Sequence, residues 1–103
     1  MDKIAFLSDI LQQNPTDAFA RYGLAMELAS QNQADNALAE FTKLLEQHPD
    51  YTAGYFMSAQ TLLKFGRTEE AIQRLKSGIE SALRTGNHHA LSEMQALLEE
   101  VDR

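Results

Sequence analysis

Residues 14–30 read NPTDAFARYGLAMELAS, and residues 48–64 read HPDYTAGYFMSAQTLLK. In both, a proline leads into a polar residue and then a run of small and aromatic side chains. Pro15 and Pro49 stand 34 positions apart. The same shift superposes Ala25 on Ala59, Leu28 on Leu62, Ala37 on Ala71 and Glu46 on Glu80. Like residues fill the register between them, among them Tyr22 with Phe56, Leu38 with Ile72 and Phe41 with Leu75. The shift also lays Ile4, Leu7, Ile10 and Leu11 onto Leu38, Phe41, Leu44 and Leu45, so the first segment is itself half a repeat. A shift of 35 matches Phe56, Gln60, Leu62 and Leu63 to Leu91, Gln95, Leu97 and Leu98. A unit that recurs in this way cannot bury its apolar face alone and stacks on similar neighbours.

The period inside each unit is helical. Ile4, Leu7, Ile10 and Leu11 recur at three- and four-residue spacing, as do Leu38, Phe41, Leu44 and Leu45, and no stretch alternates with period two. Pro15, Pro49, Gly66 and Gly86 fall between the periodic segments, where they end one helix without damaging another. The pattern predicts six helices, at about 2–13, 17–31, 34–47, 51–65, 68–84 and 88–101, with short connections that make consecutive helices antiparallel neighbours. Thr68 is placed to cap the fifth helix, with Glu69 and Glu70 in its first turn opposing the positive end of the dipole.

The chain has 103 residues, the length of one domain with a modest core. Its hydrophobic content of 44% and charged content of 23% are those of a globular protein rather than a disordered one. A formal net charge of -6 argues against a nucleic-acid partner, because phosphate backbones are bound through Lys and Arg. With no cysteine there is no disulfide, thiolate metal site or thiol nucleophile. The opening MDKIAFLSDILQQ has neither a basic n-region nor an unbroken apolar core, and no apolar run approaches the roughly 20 residues that span a bilayer. The expectation is a soluble, cytoplasmic protein without a membrane partner.

A 34-residue helix-turn-helix unit with small residues at fixed positions resembles the tetratricopeptide-repeat (TPR) family, and the resemblance covers nearly the whole chain. The residues that carry it are Tyr55, Ser58, Ala59 and Leu62 in one repeat and Arg21, Leu24, Ala25 and Leu28 in the other. Ala37 with Phe41, Ala71 with Leu75, and the closing Pro15 and Pro49 complete the pattern. Arg21 and Ser58 depart from it, and Leu83 stands where a third Pro would fall. The small residues also have a reason independent of any family. Helix axes 8–10 Å apart leave little room for a side chain beyond Ala or Ser, and Ala25, Ala37, Ala59, Ala71 and Gly78 permit such crossings. The implied fold is an all-α solenoid of antiparallel helix pairs wound as a right-handed superhelix of about six helices. Residues 1–103 form one domain: a half repeat (1–15), two repeats (16–49 and 50–83) and a capping helix (84–103).

Chemistry finds no carrier in the sequence. No phosphate-binding loop, dinucleotide fingerprint, zinc-protease helix, nucleophile elbow or calcium loop is present, so no catalytic, cofactor or metal site is assigned and no enzyme is expected. His88 and His89, with Glu93 four residues further on, are the one arrangement that suggests a metal. Adjacent helical side chains diverge by about 100°, which favours a surface role instead. His48 suits the negative end of its helix dipole, and Glu69–Glu70 and Glu99–Glu100 read as a dipole-matched start and a solvated face.

The resemblance implies that the first helices of successive pairs line a concave groove that binds peptides. Residue by residue, it places Phe19, Tyr22, Met26 and Ala29 there from one repeat, and Ala53, Phe56, Met57, Gln60 and Lys64 from the next. His88, Leu91, Gln95 and Leu98 join them if the last helix packs as another first helix. The alternative for such aromatic and Met side chains is internal packing. One subclass of the family clamps a terminal carboxylate with Lys and Asn, but Tyr22, Met26 and Met57 occupy the matching positions here, so no clamp is implied. The function expected is an adaptor or scaffold module for an apolar or amphipathic segment of another protein or peptide, with partner-binding residues Phe19, Tyr22, Met26, Phe56, Met57, Gln60 and Lys64. The second reading is a self-associating structural protein, a weak homodimer joined through its groove or through a first helix that leaves Phe6 and Ile10 uncovered.

Overall fold

The computed structural model describes residues 2–103 and places them in six α-helices: α1 (Lys3–Gln13), α2 (Ala18–Ser30), α3 (Ala34–Gln47), α4 (Thr52–Lys64), α5 (Thr68–Thr85) and α6 (His88–Val101). No strand occurs among the described residues. Also among these residues, no helix is long and apolar enough to cross a membrane. The fold is an all-α helical repeat, and it comprises two compact units, one ending at His48 and one starting at Pro49.

In the first unit, α2 packs against both α1 and α3. Leu7 and Leu11 of α1 meet Ala20, Leu24, Leu28 and Ala29 of α2 and Ala37 of α3 in one apolar cluster. Asp2 caps α1, its Oδ1 accepting from the Ala5 amide at 2.8 Å, and Asp17 caps α2 in the same way through Ala20 at 2.9 Å. In the second unit α5 lies between α4 and α6, with a smaller contact between α4 and α6. Its core holds Ala59, Leu62, Ala71, Leu75, Ala82 and Met94. Gly78 is the point of closest approach. A Cβ built there would lie 2.6 Å from Tyr55 Cβ and 2.5 Å from Met94 Sδ, so only glycine lets α5 meet α4 and α6 at this spacing.

The 34-residue register is also a register of burial, with Ala25 and Ala59, Ala37 and Ala71, and Phe41 and Leu75 all fully buried. It reaches the turns as well. Asn32 and Gly66 occupy the same repeat position and both have positive φ, at 61° and 76°. Behind them the Gln33 amide donates to Leu28 O at 2.9 Å and the Arg67 amide to Leu62 O at 2.8 Å, the six-residue closure that ends a helix on a left-handed residue. α5 ends likewise, with Gly86 at φ 68° and the Asn87 amide on Ala82 O at 2.9 Å. Without a proline at position 83, α5 runs on through Leu83 to Thr85 and reaches 18 residues against 14 for α3.

Thr68 does not cap α5. The N-cap is Arg67, without a side-chain cap bond. The residue that closes the preceding turn already has its carbonyl committed to the next helix, Gln33 O to the Ala37 amide and Arg67 O to the Ala71 amide, so the start lies one residue earlier than a Ser/Thr rule places it. Arg67 instead holds Glu70 through two hydrogen bonds of 2.9 Å. This contact, ahead of the Arg67 charge itself and that of Arg74, holds the Glu70 carboxyl below its ordinary value.

Candidate functional site

Phe19, Tyr22 and Met26 lie at three- and four-residue spacing along α2, opposite the side that buries Ala20, Leu24, Ala25 and Leu28. Phe19 is 79% exposed; Tyr22 and Met26 are half-buried. The Tyr22 ring stands edge-on to Phe41 of α3, with centroids 6.4 Å apart and planes at 74°, so Tyr22 is anchored in its unit as well as presented by it. Ala29, expected on this face, belongs to the buried cluster instead.

Arg21 fixes the orientation of this face. It is 6% exposed, at a position where an apolar side chain was expected. Its guanidinium is held on two sides: Nη1 donates to both Glu40 oxygens of α3, at 2.8 and 3.1 Å, and Nη2 donates to the Pro15 carbonyl at 2.8 Å. At the equivalent place in the second unit the Tyr55 hydroxyl donates to the Pro49 carbonyl at 2.7 Å. Each pair therefore ties the carbonyl of its leading proline to the first helix, six residues on, by side chains of unlike chemistry. The end of the second helix adds another tie. His48 Nε2 lies 2.8 Å from Thr16 O in the first unit, and in the second Arg84 donates to Asp50 Oδ1 at 2.8 and 3.0 Å. The Asp50 bond raises the Arg84 guanidinium above its ordinary value, while burial pulls that of Arg74 down, opposed by Tyr55 and Glu70.

On α4 the corresponding face carries Phe56 and Met57, half-buried, with Gln60 and Lys64 exposed. The Lys64 ammonium sits 5.2 Å from the centroid of the Phe65 ring. Behind this face Tyr55, Ser58, Ala59 and Leu62 are buried. Each face thus offers aromatic and thioether surface from a helix locked in rotation. Gln60 and Lys64 supply hydrogen bonding and positive charge at one end of the α4 face.

The histidines take no comparable place. His89 Nε2 pairs with Glu93 at 3.2 Å on an exposed turn of α6, and no group of three or more metal-binding side chains occurs among the described residues. The Arg21–Glu40 tie had a faint signal in the sequence: a lone cation in an apolar helical register, with a carboxylate 19 positions later.

Residues 28–99 match the model of the Tetratricopeptide repeat family. The chain belongs to that family. It is 27% identical over 97 residues to a TPR repeat-containing protein of Pseudomonas aeruginosa, covering 94% of this chain and 92% of that one. The solution structure of a tetratricopeptide repeat domain protein from Salinibacter ruber superposes with a TM-score of 0.79 at 36% identity, over 85% of this chain and 89% of the other. PcrH, solved in complex with the chaperone-binding region of PopD, shares the fold with a TM-score of 0.88 at 18% identity, over 96% of this chain and 75% of PcrH.

Proposed function

We propose that this TPR protein is a non-catalytic interaction module, an adaptor that takes apolar or amphipathic segments of another protein on two like faces, the outward face of α2 in the first unit and that of α4 in the second. The residues assigned to contact are Phe19, Tyr22 and Met26 in the first unit and Phe56, Met57, Gln60 and Lys64 in the second. The observation that carries the reading is the exposure of Phe19 on a helix whose opposite side is closed core. A large aromatic in water is a cost to the free protein that a partner removes, and aromatic side chains are over-represented among residues that dominate binding energy. PcrH, which shares the fold, is solved in complex with the chaperone-binding region of PopD, which supports a protein-binding use of the fold.

The test begins with affinity capture from a lysate of the source cells, followed by calorimetric titration of the captured partner into wild type, Phe19→Ala and Phe56→Ala. Each substitution is expected to weaken binding by about 1 kcal/mol or more while leaving helix content unchanged. A partner that binds both variants as tightly as wild type does not use these faces.

A further inference from the structure

We infer that a second docking site exists on the first unit: the cleft between the outer flank of α1 and the start of α2, which takes a partner segment presenting an apolar side chain beside Lys or Arg. The cleft has a volume of about 500 Å³ and is lined by Phe6, Asp9, Ile10, Gln13, Asn14 and Asp17. None of these residues belongs to the α2 or α4 faces assigned above.

Its walls are fixed before any partner arrives. Leu7 and Leu11 bury the inner side of α1, Asp2 caps its start, and Lys3 ties it to Glu27 of α2 at 3.7 Å. The turn that closes the cleft is held by the Asn14 amide on Ile10 O at 2.8 Å and the Asp17 amide on Asn14 O at 3.1 Å. In this frame Phe6 is 56% exposed, and Ile10 lies half-buried against the core. The part of this floor that Ile10 supplies is already packed, so its burial by a partner carries little cost of side-chain ordering.

Charge selects the occupant. Asp9 is exposed and has no ion-pair partner among the described residues, and Asp17 uses Oδ1 for its cap while Oδ2 makes no hydrogen bond among them. No Lys or Arg lines the cleft, and the nearest in sequence, Lys3, is engaged by Glu27. Up to His48 the chain carries seven carboxylates against three basic side chains. Two copies meeting through this flank would each bring Asp9 and Asp17 to a seam that no Lys or Arg lines, a charge arrangement that opposes a symmetric pair. A guanidinium or ammonium next to an apolar side chain meets the opposite situation: a carboxylate to pair with and the Phe6 ring to lie against.

The experiment is an amide-resolved NMR titration of the full chain. The probe is an acetylated, amidated amphipathic peptide with Leu at helical spacing and Arg at the adjoining positions, and the control has Glu in place of every Arg. The Arg peptide is expected to shift amides between Phe6 and Asp17, and the Glu peptide to leave them in place. Asp9→Lys and Phe6→Ala, both surface changes, are each expected to weaken the Arg peptide about fivefold to tenfold. Phe19→Ala leaves its effect on these amides intact, which separates this site from the α2 face. Equal binding of the two peptides, shifts confined to α2 and α4, no shift at all, or broadening of the same amides with protein concentration alone each overturns the proposal. The last outcome identifies a second copy as the occupant.

Discussion

Replacing Gly78 by Ala sets two effects of known size against each other. In the interior of a helix the change from Gly to Ala adds about 1 kcal/mol of stability through reduced backbone freedom in the unfolded chain. At position 78 the new methyl would stand 2.6 Å from Tyr55 Cβ and 2.5 Å from Met94 Sδ, where carbon atoms in good contact keep about 3.5–4.0 Å. Neither neighbour yields easily. Met94 is fully buried, and Tyr55 Cβ is bonded to the α4 backbone, while the hydroxyl of that residue is tied to Pro49. The two helices must separate by about 1 Å at their crossing, an overpacking cost of about 2–4 kcal/mol once the lost tyrosine bond is counted. The net effect expected is a loss of about 1–3 kcal/mol, or a fall in Tm of roughly 4–8 °C per kcal/mol for a domain of this size. Gly23→Ala is the internal control. There the added carbon would meet Leu7 Cδ1 and Cδ2 at 3.5 Å, an ordinary contact, so propensity decides and a gain of about 0.5–1 kcal/mol is expected. Urea and thermal denaturation followed by circular dichroism measure both. A Gly78→Ala protein as stable as wild type would refute the close crossing of α4, α5 and α6.

The other predictions rest on separate contacts. Arg21→Ala is expected to cost about 2–3 kcal/mol in urea denaturation, because it leaves the largely buried Glu40 carboxylate without its cation and the Pro15 carbonyl without a donor; Arg21→Tyr with Glu40→Arg, copying Tyr55 and Arg74 of the second unit, is expected to recover more than half of that loss. Ala37→Leu and Ala71→Leu each force a longer side chain into a position with no exposed surface and are expected to cost about 1–3 kcal/mol by the same assay, whereas His88→Ala with His89→Ala, on the exposed turn of α6, is expected to leave stability unchanged. Arg67 keeps the Glu70 carboxyl below its ordinary value of 4.5, so the stabilisation it contributes is present above that pH and is lost as pH falls through the lower folded-state value. The difference in urea midpoint between wild type and Glu70→Gln is therefore expected to be constant near neutrality and to shrink below about pH 4.5.

The helix order and repeat register were readable because burial leaves a periodic trace. A crossing that excludes side chains keeps Ala at 25, 37, 59 and 71, and a core position that must be filled keeps Phe41 and Leu75. Gly66 and Gly86 announced their turns for the same kind of reason, since a positive φ selects glycine; Asn32, which does the same work at φ 61°, gave a weaker signal because Asn is also common in ordinary polar loops. The site was less legible. Helical spacing alone does not separate Phe6, Phe19, Phe41 and Phe56, of which Phe41 is fully buried and Phe19 largely in water; only the repeat register assigned them different sides. That difference depends on which flank of each helix its neighbours occupy, and helical spacing does not encode it.

Arg21 and Tyr55 show what the repeat preserves when residue identity changes. The carbonyl of a proline ahead of a helix lies outside the helical ladder and needs a donor from elsewhere, and position six beyond it points a side chain back across the turn. A guanidinium and a phenol both reach this acceptor, at 2.8 and 2.7 Å. They differ in what else they require. The phenol needs only an apolar bed, whereas the guanidinium needs an anion, which Glu40 provides from the neighbouring helix. What recurs every 34 residues is therefore a requirement for one donor at one place, and that requirement fixes the rotation of the first helix in each pair. Phe19 stands two residues before Arg21, and Phe56 follows Tyr55 directly. The tie that closes the turn thus also sets the direction in which the neighbouring aromatic ring faces, and a substitution at Arg21 or Tyr55 would act on binding through position, without touching a ligand.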